Sequence, residues 1–541
     1  MKEITTDHWH CFNCQQYDEG ICRLSNKQTP ATSLCSYFNC KTFDEKETKE
    51  YEPLTIEEYN KRKFKIDEIP KEMIDKVKNY LLKRERDSAT EEIVKLIKRN
   101  EIIRTTRDDD NSEMWIYKGG IYIPQGKTYI QEYCRRILTI VYTTQLCNLV
   151  ISKIEADTYT DQEEFFNAQN DYPELIPVKN GVLNIRTKEM RNFDSSIPFF
   201  TKLTMNYNSQ AKCENIKRFI KEILPKDRDD LYETIKELFG YSLLKEYKYE
   251  KSFMFWGIGR NGKGKLLELF KRFVGIDNCR SISLTELEKD NFCVSALMNK
   301  LLNISGDISN EAINDTGTFK QLTGRDTISA NRKFKTRVNF TNYAKMIFAG
   351  NDLPHPKDTS DGFWMRWILI EFPYQFLPQK EINLLKDKRN IKLQDPDIID
   401  KISTELELEG LLVWALEGYN QLISKKDFSY KLGKNAVKSS WLRKSNSVMA
   451  FIEDCIDEDY DNHIVKKDFK QGYIQYCRKH NVKPLSDKVI KITIENETGA
   501  VSYQHYDDGN PSWVWDGIKY KQDKLSKQGV SYYTREIESP L

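Results

Sequence analysis

The sequence predicts a multidomain α/β protein, and three observations carry that prediction. Its 541 residues exceed what one hydrophobic core holds together, so several modules in series are expected. A short apolar run, Ser252 to Trp256, is followed at once by a glycine-rich loop and an amphipathic helix pattern, the order of a phosphate-binding α/β unit. Five of the 12 cysteines crowd into the first 40 residues, which marks off a small module of another kind.

Composition narrows the class. Lys plus Arg is 84 and Asp plus Glu is 82, a formal charge of +2, which excludes a uniformly basic nucleic-acid coat and an acidic solubilising tail. With 39% hydrophobic and 12% aromatic residues, the chain has too much burial material to be disordered. No stretch reaches about eighteen uninterrupted apolar residues, so no membrane span is expected, and the greasiest run, Ile137 to Ile151, reads as a buried helix. The N-terminus lacks an apolar signal core, so a cytoplasmic location is expected, with the cysteines as thiols or metal ligands.

Residues 1–45 form the cysteine-rich module. Cys11 and Cys14 have metal-knuckle spacing, and with Cys22 and Cys35 they supply four thiolates for a tetrahedral site. Cys40, His8 and His10 are possible substitutes. Zn²⁺ is favoured in a reducing compartment, and an iron–sulfur cluster is the alternative. The other cysteines are scattered singly and read as buried thiols. Residues 46–100 are charge-rich with few Gly or Pro and read as a helical connecting arm. Residues 101–245 read as an α/β domain, with one hairpin turning at Gly119 and Gly120, a second at Asn180 and Gly181, and helices ending near Tyr241. The Asp108, Asp109, Asp110 run sits in a turn and reads as solvated.

The chemistry concentrates in 246–425. The sequence GIGRNGKGK fits G-x-x-x-x-G-K through Gly257, Gly262 and Lys263, with Gly259, Asn261 and Gly264 completing the loop. Residues without a Cβ let backbone N–H groups wrap a triphosphate at a helix N-terminus, and Lys263 adds a point charge for the β and γ phosphates of ATP. Leu266, Leu267, Phe270, Phe273 and Val274 fall on one face of the following helix. Gly264 stands where a Mg²⁺-binding hydroxyl is usual, so the metal would keep a water there.

Three further apolar runs follow. KLLNIS ends in Gly306 and Asp307, a carboxylate placed to order Mg²⁺ and an attacking water. KMIFA ends in Gly350 and Asn351, whose amide suits the γ-phosphate or the lytic water. Arg366 precedes WILIEF and suits transferring-phosphoryl charge in a neighbour's site.

The series GIGRNGKG, NISGD, KQLTGRDTISANRKFK, IFAGND and DGFWMRWILIEF resembles the superfamily 3 helicase core of phage, plasmid and poxvirus primase-helicases. WIYKGGIYI and VKNGVLNIRT resemble the domain preceding that core, and residues 426–541 are similar to the family's C-terminal winged-helix region. The resemblance covers about four fifths of the chain. It implies a P-loop, AAA+-like ATPase in which Lys263 binds phosphate, Asp307 is the Walker B acid, with Glu311 as a fallback base, Asn351 is sensor 1, and Arg366 is the arginine finger of a ring, expected to be a hexamer. It also implies that Lys333, Phe334 and Lys335 lie on a hairpin that tracks single-stranded or forked DNA.

The function so implied is ATP-dependent 3′ to 5′ DNA unwinding in the replication of a virus, plasmid or integrated element, with any priming supplied by a separate primase. Two other readings stay open: an ATP-dependent replication initiator or loader without processive unwinding, and a metal-dependent DNA-binding regulator with a decayed ATPase.

Overall fold

The structure is a computed structural model. It describes residues 69 and 71–521, apart from 109–110, 291, 307, 309–312, 314, 334, 355, 357, 359, 481, 483 and 508–509, and it also describes the backbone of three short strands between 17 and 28. The chain divides into two compact units, Met1–Ala89 and Thr90–Leu541. The first holds the antiparallel strands Tyr17–Asp18, Ile21–Cys22 and Lys27–Gln28 and the helix Lys71–Leu82, which buries Val77. A further helix, Arg86–Asn100, crosses the division, so the boundary falls inside the expected connecting arm.

The centre of the second unit is a five-stranded, wholly parallel sheet. From edge to edge it runs Cys279–Arg280, Leu302–Ser305, Lys345–Gly350, Ser252–Trp256 and Trp367–Glu371. The apolar runs read from the sequence are therefore neighbours in one sheet. Both faces are covered, which is why the runs are continuous rather than alternating. Phe253, Phe255, Ile347, Ala349, Ile368 and Ile370 point into one core, shared with Phe239, Phe270 and Trp414 from the helices Asp229–Tyr241, Lys263–Val274 and Glu405–Lys425. Met254, Met346, Phe348, Trp367 and Leu369 point into a second core with Phe319, Trp441 and the hairpin residues Ile328, Val338 and Phe340. Leu266, Leu267, Phe270, Phe273 and Val274 are all buried, as the helix pattern predicts.

Upstream, strands Ile121–Ile123, Met114–Lys118, Ile103–Thr106 and Tyr159–Thr160 make a four-stranded sheet. The first hairpin turns at Gly119 and Gly120, both at positive φ, as expected. The second pairs Val178 with Gly181, so its two-residue turn is Lys179 and Asn180 and Gly181 already belongs to a strand. The expectation of one buried helix over 137–151 is corrected. A helix Gly126–Leu138 stops where Thr139 takes a positive φ, Ile140 is 93% exposed, and a new helix Thr144–Thr158 starts behind Thr143, whose hydroxyl accepts from Leu146 N. A β-branched residue at positive φ and a threonine N-cap outweigh the apolar composition there.

At the other end, helix Lys434–Ser445 packs on the sheet as well as meeting the last domain, where Arg443 pairs with Asp454 at 2.6 Å and donates to Tyr476 Oη at 3.0 Å. Trp441 is fully buried against Trp364 and Trp367 and donates to Pro354 O at 2.8 Å, which ties this helix to the sheet. A separate core begins at Val448, formed by the helices Ser447–Cys455, Lys466–Lys479 and Asp487–Thr498 with an antiparallel three-stranded sheet over 456–520. The described cysteines outside the N-terminal cluster are free thiols, mostly buried. Among the described residues, no helix is long and apolar enough to cross a membrane.

Candidate nucleotide site

In a parallel sheet all carboxyl ends lie on one edge, and of the residues singled out there Lys263 and Asn351 meet. The chain leaves Ser252–Trp256 at Gly257 (φ 154°), passes Arg260 (φ 61°) and Gly262 (φ 87°), and enters the helix at Lys263. A Cβ on Gly257 would lie 2.5 Å from both Asn261 Nδ2 and Phe372 O, and one on Gly262 would lie 2.6 Å from Ile223 Cγ2. These two positions therefore require glycine for space as well as for backbone conformation. A Cβ on Gly259 or Gly264 would meet nothing within 4 Å, so that side of the loop is open. Asn261 pins the loop, donating to Phe372 O and accepting from Lys263 N, each at 3.3 Å.

Lys263 is 7% exposed. Its ammonium donates to Gly257 O, to Gly350 O at 3.1 Å and to Asn351 Oδ1 at 3.1 Å. Lys263 and Asn351, 88 positions apart, are thus in direct contact between adjacent strand ends. Asp307 and its fallback Glu311 lie outside the described residues. The strand before Asp307 ends at Ser305, level with Phe348 of the neighbouring strand.

Sequence reasoning missed a further cation at this edge. Lys444 sits 3.3 Å over the Trp256 ring and 2.9 Å from Glu371 Oε2. Burial pulls its pKa down while Glu371 opposes the shift. Only the adjacency of Trp256 to the loop hinted at this, because Lys444 comes from a helix that the sequence seemed to assign elsewhere.

Arg366 stands apart. It precedes Trp367 at the amino end of its strand, and Ser252 N donates to its carbonyl at 2.6 Å. Its side chain donates to Thr323 Oγ1 at 2.8 Å and to Gly362 O, and lies 3.7 Å from Glu250 Oε2. A five-residue strand at about 3.3 Å per residue separates that edge from Gly257, so Arg366 does not meet Lys263 within one chain.

The expected hairpin exists as Thr327–Arg332 paired with Lys335–Thr341. Lys333 is in its turn and Phe334 lies outside the described residues. Lys335 is not presented to solvent as a bare cation, because it pairs with Glu113 Oε2. The ligand set Cys11, Cys14, Cys22 and Cys35 also lies outside the described side chains. Among the described residues, no group of three or more His, Cys, Asp or Glu side chains could hold a metal.

Comparison with known proteins finds partial matches. Residues 37–225 match the family described as D5 N terminal like, and 255–366 match a family of unknown function, DUF5906. Over 227 residues the chain is 29% identical to the L207/L206 protein of Acanthamoeba polyphaga mimivirus, covering 39% of this chain and 23% of that protein. It is 23% identical over 324 residues to V13 of Sputnik virophage, covering 58% and 40%. Both relatives are provisionally named helicases. Over these stretches the chain is similar to the D5 N terminal like family and to these viral proteins. It spans less than half the length of these curated relatives. The apo C-terminal region of NrS-1 aligns over 79% of this chain and 98% of its own, at 14% identity and a TM-score of 0.42.

Proposed function

We propose that this chain is an ATP-dependent DNA helicase of the superfamily 3 primase-helicase type whose core, 246–425 together with the helix Lys434–Ser445, hydrolyses ATP to separate strands. The observation that carries the reading is the 3.1 Å contact of Lys263 with Asn351 at the carboxyl edge of a parallel sheet, beside a glycine loop that is open at Gly259 and Gly264. A site built this way suits a polyanion, since it joins a helix N-terminus without a side-chain cap to a buried ammonium. In this reading Lys263 exchanges its carbonyl partners for the β and γ phosphates. Asn351 orients the attacking water. Asp307 holds Mg²⁺, which supplies charge neutralisation on the phosphates when bound.

Arg366 sits at the amino edge of the sheet, so any part it takes in hydrolysis is in a second copy's site, which is the reason to propose a ring. The residues Lys333, Phe334 and Lys335 contact the DNA strand, and Cys11, Cys14, Cys22 and Cys35 hold Zn²⁺ or an iron–sulfur cluster. The C-terminal helices and the strand pair 501–520, a winged-helix-like arrangement that exposes Tyr503, Tyr506 and Trp513, add a DNA contact.

The test is ATP turnover with forked DNA, measured on Lys263→Ala and Arg366→Ala separately and mixed. Partial rescue on mixing, together with strand displacement by the wild type, is the expected outcome. Turnover without displacement favours an initiator or loader, and absent turnover favours a DNA-binding regulator.

A further inference from the structure

The hairpin expected to touch DNA is closed off by the chain's own upstream domain. A single carboxylate, Glu113, takes two of its basic residues: Oε1 pairs with Arg332 and Oε2 with Lys335, whose side chain stays 46% exposed. The Glu113 and Arg332 side chains are only 11% and 10% exposed, so this is not a casual surface pair. Glu113 is itself fixed, its N–H donating to Thr106 Oγ1 at 2.9 Å. Asp108, from the run that read as solvated, accepts the Thr336 hydroxyl, and Glu163 accepts from Asn339 Nδ2 at 2.7 Å. The outer edge of the second hairpin strand is covered as well. Gln162 Nε2 donates to Arg337 O at 3.3 Å and Asn167 Nδ2 to Asn339 O at 3.4 Å.

The hairpin's root and tip differ in what holds them. Ile328, Ala330, Val338 and Phe340 are buried in the core, whereas Arg332, Lys335 and Thr336 meet carboxylates, with the Arg332 guanidinium also 5.9 Å from the Phe166 ring, and the strand register shifts between Ala330 and Arg332. The tip can therefore bend at that irregularity while the root stays packed. Three carboxylates facing a basic hairpin present the charge that a phosphate backbone would present.

Building on the DNA reading above, we propose that Asp108, Glu113 and Glu163 act as an autoinhibitory clamp, and that a single strand of nucleic acid must displace them to reach Arg332 and Lys335. The test is fluorescence-anisotropy binding of labelled oligothymidylate across a salt series, for the full chain and for Glu113→Gln. Expected is binding about three- to tenfold tighter in the variant, with log K against log salt steeper by about 0.7 for each released cation. Adding Lys335→Ala to Glu113→Gln should remove the gain. Asp108→Asn, at the rim of the contact, serves as an independent arm should Glu113→Gln fail to fold. Equal affinity and equal slope in wild type and variants would overturn the clamp while leaving strand binding intact. Absence of binding by every form would overturn the strand-contact reading itself and the clamp with it.

Discussion

The loop at the carboxyl edge and the hairpin on the second face are both basic, and they satisfy their cations in different ways. Lys263 donates to two backbone carbonyls and one amide oxygen from its own loop and the adjacent strand end. Arg332 and Lys335 are held by a carboxylate 219 and 222 positions away. A cation on a carboxylate must lose that charged partner before it can take a phosphate. The hairpin is therefore guarded by a carboxylate, whereas the loop is open on its Gly259 and Gly264 side.

Breaking this contrast should give effects that fall in order. Lys263→Ala is expected to lower ATP turnover about 10²- to 10³-fold, the usual cost of removing one preorganised charge, while circular dichroism stays native. Arg332→Ala leaves Glu113 with Lys335 alone in a site that is nearly buried. It should cost about 2 kcal/mol of stability in denaturant titration, with little effect on nucleotide binding. Gly262→Ala forces a Cβ into positive φ and onto Ile223, so a loss of about 1–2 kcal/mol and weaker nucleotide binding are expected by calorimetry. Gly264→Ser points into open space and should change stability by less than about 0.5 kcal/mol. The added hydroxyl should lower the Mg²⁺ concentration needed for half-maximal turnover by a few-fold.

What could be read from the sequence follows the same division. The strand, loop and helix at 252–274 are local in sequence, and their apolar period and glycines specify them directly. The parallel strands announced themselves as uninterrupted apolar runs because both faces are covered. The order of strands was not legible, whereas Arg366 lies away from Lys263 because it precedes a strand that runs parallel to Ser252–Trp256. Helix Lys434–Ser445 was assigned to the last domain because nothing near Trp441 in sequence reveals that it stacks on Trp367. Asp108 reads as a turn residue, and the pairing of Glu113 with Arg332 was not legible, because contacts across more than 200 positions leave no periodic trace. The break at Thr139 lay hidden in apolar composition, since a single backbone torsion decided it.

The most direct measurement is calorimetric titration of the full chain with Mg²⁺–ATP beside Lys263→Ala. Saturable binding by the wild type, weakened at least about tenfold in the variant, which corresponds to about 1.4 kcal/mol, is the expected result. Equal affinity in the two proteins, or no binding by the wild type, would contradict a nucleotide site at the carboxyl edge of this sheet.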